Sequence, residues 1–221
     1  APILRCTRQA VEGKGMSGVI VATMIRSICS AVTPAFRIAR NAACAALAPV
    51  CAARADESGP KAGDKVPALK AFGVVGKVEG KEADLAADRK DEPTVYIFVQ
   101  ATDGGVPVGG RPAARFMKEL DTRIGGAADR AAVVAVWLGE KAFDKHKEYL
   151  PKFQMSLKLD KTALAAFDGQ RSGPDNWGVN ADAHLTVVVV NKGRVAKSFA
   201  FTSVNETDVK PVLEELKKAI R

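Results

Sequence analysis

The chain has 221 residues, of which 47% are hydrophobic and 6% aromatic, and it carries 33 Lys and Arg against 25 Asp and Glu. This apolar content excludes a wholly disordered chain, and the length fits one domain with a sizeable extension. The net charge of +8 is concentrated at the front, where residues 1–55 hold seven basic residues and one acidic residue. The remainder has a net charge of only +2. The overall charge is therefore no argument for nucleic-acid binding, and no aromatic residues alternate with basic ones to stack on bases.

Residues 1–55 are interpreted as an N-terminal extension that includes a secretory signal peptide. A basic stretch from Met24 precedes an apolar run over residues 41–52, and the small residues Ala53 and Ala55 follow it. We expect cleavage after Ala55 and a secreted or periplasmic protein. The apolar run is too short to span a bilayer, so no stable membrane span is expected. An organelle-directed presequence and a lipid anchor are the alternatives to secretion.

The predicted elements follow in chain order. Residues 56–67 contain two Pro and two Gly and predict a flexible lead-in segment before a domain over 68–221. Strands are predicted over residues 68–78, 94–101, 131–138, 185–190 and 195–201, and helices over 112–124, 141–157 and from Asp208 to Ile220. We expect Pro151 to break or kink the second helix, and Asp208 to be the N-cap of the last.

The alternation of these elements predicts an α/β fold. Near-continuous apolar runs such as residues 94–101 are typical of parallel central strands covered on both faces. Asn191-Lys192-Gly193 predicts a tight turn between the last two strands. The sequence therefore predicts a three-layer sandwich, in which helices flank a mixed sheet that ends in an antiparallel hairpin.

Several local strings, in order and spacing, resemble the thioredoxin-like superfamily, in particular secreted thioredoxin-like and peroxiredoxin-like domains. They are Gly63-Asp64-Lys65-Val66-Pro67, the strand TVYIFVQA, the helix after Arg111, Trp177-Gly178-Val179 and LTVVVVNKGRV. The resemblance covers roughly residues 63–220. It implies the thioredoxin-like fold, with the functional loop between the central strand and the following helix.

The resemblance also implies that thiol chemistry is missing. In the catalytic members this loop carries the reactive cysteine, but here Val106-Pro107-Val108-Gly109 has glycine at the thiol position. All four cysteines, Cys6, Cys29, Cys44 and Cys51, lie in the extension. The cis-proline that faces the thiols in active members is replaced by Leu185, which we expect in a trans peptide. The sequence therefore assigns no catalytic residue and no cofactor, and it leaves enzyme activity open.

We expect a binding or scaffold module that meets a protein partner through the former active-site edge. This edge comprises Asp103, Gly109, Gly110, Arg111, Trp177, His184 and Leu185. The alternative is a redox accessory protein of the thioredoxin or peroxiredoxin type that acts with a partner's cysteines. An activity built on His184 as a base with Asp103 to orient it also remains open.

The other histidine predicts no site. His146 lies in a Lys- and Glu-rich helix and is interpreted as a solvated surface residue. Because structural zinc sites need four Cys or His ligands, two histidines without a spacing signature predict no metal site.

Overall fold

The computed structural model describes residues 57–221. Its strands are β1 Lys70–Val75, β2 Glu82–Asp84, β3 Thr94–Gln100, β4 Ala132–Leu138, β5 Thr162–Ala166, β6 Leu185–Asn191 and β7 Arg194–Phe201. Its helices are α1 Leu85–Arg89, α2 Gly110–Ile124, α3 Phe143–Leu157 and α4 Val209–Ile220, the last preceded by a 3-10 turn at Glu206–Asp208. The predicted signal peptide lies outside the described residues.

The strands form one mixed sheet in the order β2-β1-β5-β4-β3-β6-β7. Strands β3, β4 and β5 are parallel, whereas β6 and β7 form an antiparallel hairpin beside β3. On the far side, β1 pairs antiparallel with β5 and carries β2. The predicted fold class, with parallel central strands and a C-terminal hairpin, is confirmed.

Helices α2, α3 and α4 cover one face of the sheet. All three contribute to a single hydrophobic core with alternate residues of the central strands, including Val95, Ile97 and Val99 of β3. On α2 the predicted stripe of Phe116, Leu120 and Ile124 is buried. The spacing of four along a helix places these side chains on one side, so the stripe faces the sheet.

The opposite face is covered by short and irregular segments. Leu85 of α1, Leu69 just before β1 and Trp177 pack there against Tyr96 and Phe98 of β3. The Trp177 ring lies 5.3 Å from the Tyr96 ring and 4.8 Å from the Phe98 ring. Its Nε1 donates a hydrogen bond to the carbonyl oxygen of Ala68 at 3.0 Å. The third layer is thus built mainly from loops that a single tryptophan joins to the sheet.

The lead-in, predicted to be flexible, is hydrogen-bonded to the hairpin in the structure. The Gly63 N–H donates to the carbonyl oxygen of Val195 at 2.8 Å, and the Val195 N–H donates to that of Asp64 at 2.9 Å. The Ser58 side chain is buried and shares a hydrogen bond with Thr186. The Gly and Pro residues of the lead-in therefore lie in a segment that is hydrogen-bonded to the start of β7.

Two short elements were not predicted. Strand β2 has three residues and α1 has five, which is too few for a periodic pattern. The local signal is Asp84, whose carboxylate accepts hydrogen bonds from the N–H groups of Ala86 and Ala87 at 3.0 and 3.1 Å. This is an N-cap, and it begins the helix directly after the strand.

Two predicted helix details can be compared with the structure. Helix α3 runs through Pro151 without a break, because Leu150 and Phe153 on either side are buried against the core. Asp208 occupies the N-cap position of α4, as predicted, but its side chain does not cap that helix. Its carboxylate instead accepts from the Asn205 N–H at 2.7 Å, while the Asn205 side chain accepts from the Asp208 N–H. This reciprocal capping box begins the 3-10 turn, and α4 follows from it.

A buried carboxylate fastens α2 to the start of β5. Asp121 accepts hydrogen bonds from the N–H groups of Asp160 and Lys161 at 3.1 and 2.8 Å, and from the Thr162 hydroxyl at 2.7 Å. It is almost fully buried. Removing its oxygens leaves three donors without partners, each of which costs free energy in a buried place.

We therefore expect Asp121→Ala to lower the free energy of unfolding by about 3 kcal/mol, measured by urea denaturation. The control is Asp168→Ala, because Asp168 is exposed and its loss should cost under about 0.5 kcal/mol. Equal effects of the two substitutions would show that the Asp121 network adds no stability.

Trp177 generates a second expectation, because a core residue and a surface contact residue respond differently to substitution. Trp177→Ala should lower the free energy of unfolding by about 3–5 kcal/mol, as in other buried aromatic truncations. Trp177→Phe, which retains most of the ring volume but loses the hydrogen bond to Ala68, should cost less. A calorimetric melting temperature unchanged by both variants would contradict the core position.

Candidate functional site

The candidate site lies at the carboxyl end of β3, where the chain leaves the sheet and enters α2. Loops at this end of parallel strands form the usual binding crevice of an open α/β sheet. Residues 101–109 make the connection. The loop folds back on itself, because Ala101 and Pro107 form an isolated antiparallel bridge.

Hydrogen bonds fix the loop conformation. The Thr102 N–H donates to the Val106 carbonyl at 2.9 Å, and the Val108 N–H donates to the Gln100 carbonyl at 2.8 Å. The turn between them uses Gly105 at φ +83°, a left-handed conformation that favours glycine. From β4 below, the indole Nε1 of Trp137 donates to the Gly105 carbonyl at 2.9 Å. The loop therefore has a conformation that is defined by hydrogen bonds to the rest of the domain.

The loop exposes two apolar side chains. Val106 and Val108 are 45% and 37% exposed, and Met155 on α3 is the third large hydrophobic residue exposed in residues 57–221. The valines are two positions apart in an extended segment, so they lie on the same side of it. Because hydrogen bonds hold this segment, it offers a fixed apolar surface. The exposed valines were not predicted, since alternation alone does not say which side faces water.

Gly109 and His184 lie side by side, as the predicted edge required. A Cβ added to Gly109 would lie 3.8 Å from the His184 Cβ, 3.6 Å from Val204 Cγ1 and 3.0 Å from the Ala113 Cβ. The helix that follows begins at Gly110, at φ +56°, and no side chain caps it. Arg111 is exposed in its first turn. We name Val106, Val108, Gly109, Gly110, Arg111 and His184 together the β3–α2 surface.

Two predicted edge residues are not available for contact. Trp177 and Leu185 are fully buried, so their assignment to a binding surface was wrong. Trp177 packs on the face of the sheet away from the helices, and Leu185 packs within the helix-side core. The turn before β6 orients the alternate residue outward, which leaves His184 half-exposed. As expected, the peptide before Leu185 is trans.

Asp103 is exposed, but it does not orient His184. Among the side-chain hydrogen bonds of residues 57–221, none joins the two residues. The Asp103 carboxylate instead lies close enough to influence His146. A His184–Asp103 catalytic pair is therefore not assembled in this structure.

The prediction that His146 is a solvated surface residue was wrong. Its side chain is fully buried on α3, and neither ring nitrogen has a hydrogen-bond partner within residues 57–221. Burial lowers the pKa of His146, and the Thr102 backbone and the Asp103 carboxylate oppose this in part. The sequence signal was its spacing from Phe143 and Leu150, three and four residues away, which places it on the apolar stripe of α3.

A metal centre finds no support in the part of the chain that the structure describes. No group of three or more His, Cys, Asp or Glu side chains is placed there to hold an ion. None of the helices in residues 57–221 has the length and hydropathy of a membrane span.

No protein-family model matches the chain, and no curated protein sequence matches it. Solved structures do resemble it. An uncharacterized conserved protein from Geobacillus kaustophilus is 11% identical, with 72% of this chain and 82% of that chain covered at a TM-score of 0.52. A secreted thiol-disulfide isomerase from Corynebacterium glutamicum is 14% identical, with 69% and 85% covered at 0.49. A DsbF homologue from Corynebacterium diphtheriae is 18% identical, with 68% and 87% covered at 0.48.

At these identities the similarity concerns the fold alone. The features that matter are the parallel β3–β4–β5 centre, the β6–β7 hairpin, and α2 following directly on the loop after β3. They agree with the resemblance stated from the sequence. Residues 57–221 therefore have an α/β fold built on one mixed seven-stranded sheet, and the similarity to the Geobacillus kaustophilus protein is a similarity of this fold.

Proposed function

We propose that this protein is an exported thioredoxin-like binding module that engages a protein partner through the β3–α2 surface without thiol chemistry. The observation that carries the proposal is the pair of exposed valines, Val106 and Val108, beside a glycine at the thiol position. Export is proposed on the sequence of residues 1–55.

The apolar pair supports binding because its exposure is maintained by the fold. Water contact at two neighbouring valines is unfavourable, and burial against a partner would recover free energy roughly in proportion to the area removed. The hydrogen bonds of Thr102, Gly105 and Val108 already hold the loop. A partner would therefore lose little free energy in ordering it.

The absence of cysteine from residues 57–221 supports a role without thiol-based electron transfer. Residues 57–221 contain no cysteine, so the domain itself forms neither a mixed disulfide nor a sulfenic acid. A thiol at the start of α2 would have its pKa lowered by the free N–H groups there. The fold retains that helix start at Gly109 and Gly110, and no nucleophile stands on it.

The binding proposal predicts that the double variant Val106→Ser/Val108→Ser loses its partner. Burial of two half-exposed valines contributes about 2 kcal/mol, so we expect roughly a 30-fold weaker complex. The tagged full chain would be cross-linked in its source cells, partners identified by mass spectrometry, and affinities measured with the purified partner. Met155→Ser, also at an exposed apolar residue, should leave binding unchanged. Equal binding by the double variant would refute the proposed surface.

The absence of thiol chemistry predicts that the full chain neither consumes peroxide nor reduces insulin disulfides above a denatured control. The matched variant has Ser at all four cysteine positions, Cys6, Cys29, Cys44 and Cys51. Turnover by the native chain that disappears in this variant would assign activity to the front segment and favour the redox accessory role. Turnover that persists in both the native chain and this variant would require chemistry that uses no cysteine thiol.

A further inference from the structure

A second feature of the same region is a histidine enclosed without polar partners. His146 lies on α3 next to Gly139, which follows β4, and its side chain has no exposed surface. Neither Nδ1 nor Nε2 donates or accepts a hydrogen bond within residues 57–221. A buried polar group without a partner costs free energy, and an enclosed imidazolium would cost more. The site therefore tolerates the neutral ring and opposes its protonation.

The His146 ring is tightly packed against the end of β4. Gly139 follows this strand and is itself buried. A Cβ added to it would lie 2.8 Å from Cε1 and 3.2 Å from Nε2 of His146, and 3.8 Å from the Ala101 carbonyl oxygen. The ring thus occupies space that any other residue at 139 would fill. The His146 ring and the end of β4 are therefore in close contact.

Few charges face the ring. On the loop, the Asp103 carboxylate acts on it and favours the protonated form, as does the Thr102 backbone, but burial outweighs both and lowers the pKa of His146. The charged residues of the neighbouring segments lie at the surface. Glu140, Lys141 and Lys145 are exposed, and Lys147 pairs with the exposed Asp144 at 2.8 Å.

The loop packs against α3 near His146. It is held to the body of the domain by the Trp137–Gly105 hydrogen bond and by the contact of Gly105 with Tyr149, where an added Cβ would lie 2.9 Å from the Tyr149 Cβ. Thr102, Asp103 and Gly104 are exposed. By contrast, α3 is anchored in the core by Leu150 and Phe153, so the loop is the neighbour of His146 that can move without disrupting the core.

We propose that residues 102–108 form a proton-controlled flap, closed over neutral His146 and released from α3 when the imidazole is protonated. In the open state the ring is solvated, so it binds a proton with its ordinary pKa of about 6.5. Because the closed state has a lowered pKa, the open state binds protons more tightly and acid favours it. The closed state is fully stable above about pH 6.5 and loses stability below it. The inference concerns the loop itself and does not depend on the proposed partner.

The test measures amide hydrogen exchange of the full chain between pH 7.5 and 5.0. We expect the protection factors of residues 102–108 to fall about tenfold for each pH unit below about 6.5, until the closed-state pKa is reached. Amides of β3 and β6 should remain far better protected throughout. If loop and core amides share one protection factor at every pH, opening is global and the flap does not exist.

The chain has only two histidines, so each is the control for the other. His146→Leu should abolish the pH dependence of loop exchange, whereas His184→Gln should retain it. The NMR imidazole signals of the native chain give a second readout that needs no variant: His146 should titrate below about 6.5. Loop protection that is independent of pH, or a His146 midpoint at or above 6.5, would overturn the proposal. Loss of partner binding would leave it untouched.

Discussion

The structure depends on the burial of β3 from both sides. All seven of its residues are buried, with Val95, Ile97 and Val99 facing the helices and Tyr96 and Phe98 facing Trp177. A parallel central strand of this kind requires a cover on each face. Three helices supply one cover, while a short helix, the lead-in and a tryptophan supply the other. The carboxyl end of β3 is thereby fixed, and the loop that it carries has a rigid base.

The properties of the candidate site follow from that base. Trp137 on the neighbouring strand β4 donates a hydrogen bond to the Gly105 carbonyl oxygen. This bond helps to fix the segment in which Val106 and Val108 are exposed. The same attachment closes the space over His146. One loop therefore connects an apolar surface to a buried titratable ring, and both features are absent from the linear pattern that identified the fold.

The fold was predictable because its central strands are nearly pure apolar runs. Because both faces are buried, β3 and β6 consist mostly of apolar and β-branched residues, and such runs can be recognised in the sequence alone. The site was predictable only in part. Gly109 and His184 were expected together and are together, since helix start and strand start meet at one sheet edge. Trp177 was misplaced because a tryptophan beside Gly178 gives no indication of which surface its ring covers.

His146 shows the opposite limit. Its position three residues after Phe143 and four before Leu150 was visible, but its charged neighbours suggested a solvated helix face. The buried side of α3 consists of His146, Leu150 and Phe153, although the composition of the whole helix is polar. Pro151 was misjudged for a related reason: packing on both sides of it outweighs the missing N–H. In both cases tertiary contacts decided what local composition did not.

The lead-in has a consequence for how the molecule behaves among its own copies. Exposed strand edges recruit further strands and seed aggregation. Here the outer edge of β7 meets the backbone of Gly63 and Asp64 at Val195, and the opposite edge of the sheet is the three-residue β2. The lead-in thus occupies the start of the β7 edge, and the opposite margin is too short to pair with a long strand. Adding a strand beside Val195 would first require the lead-in to detach.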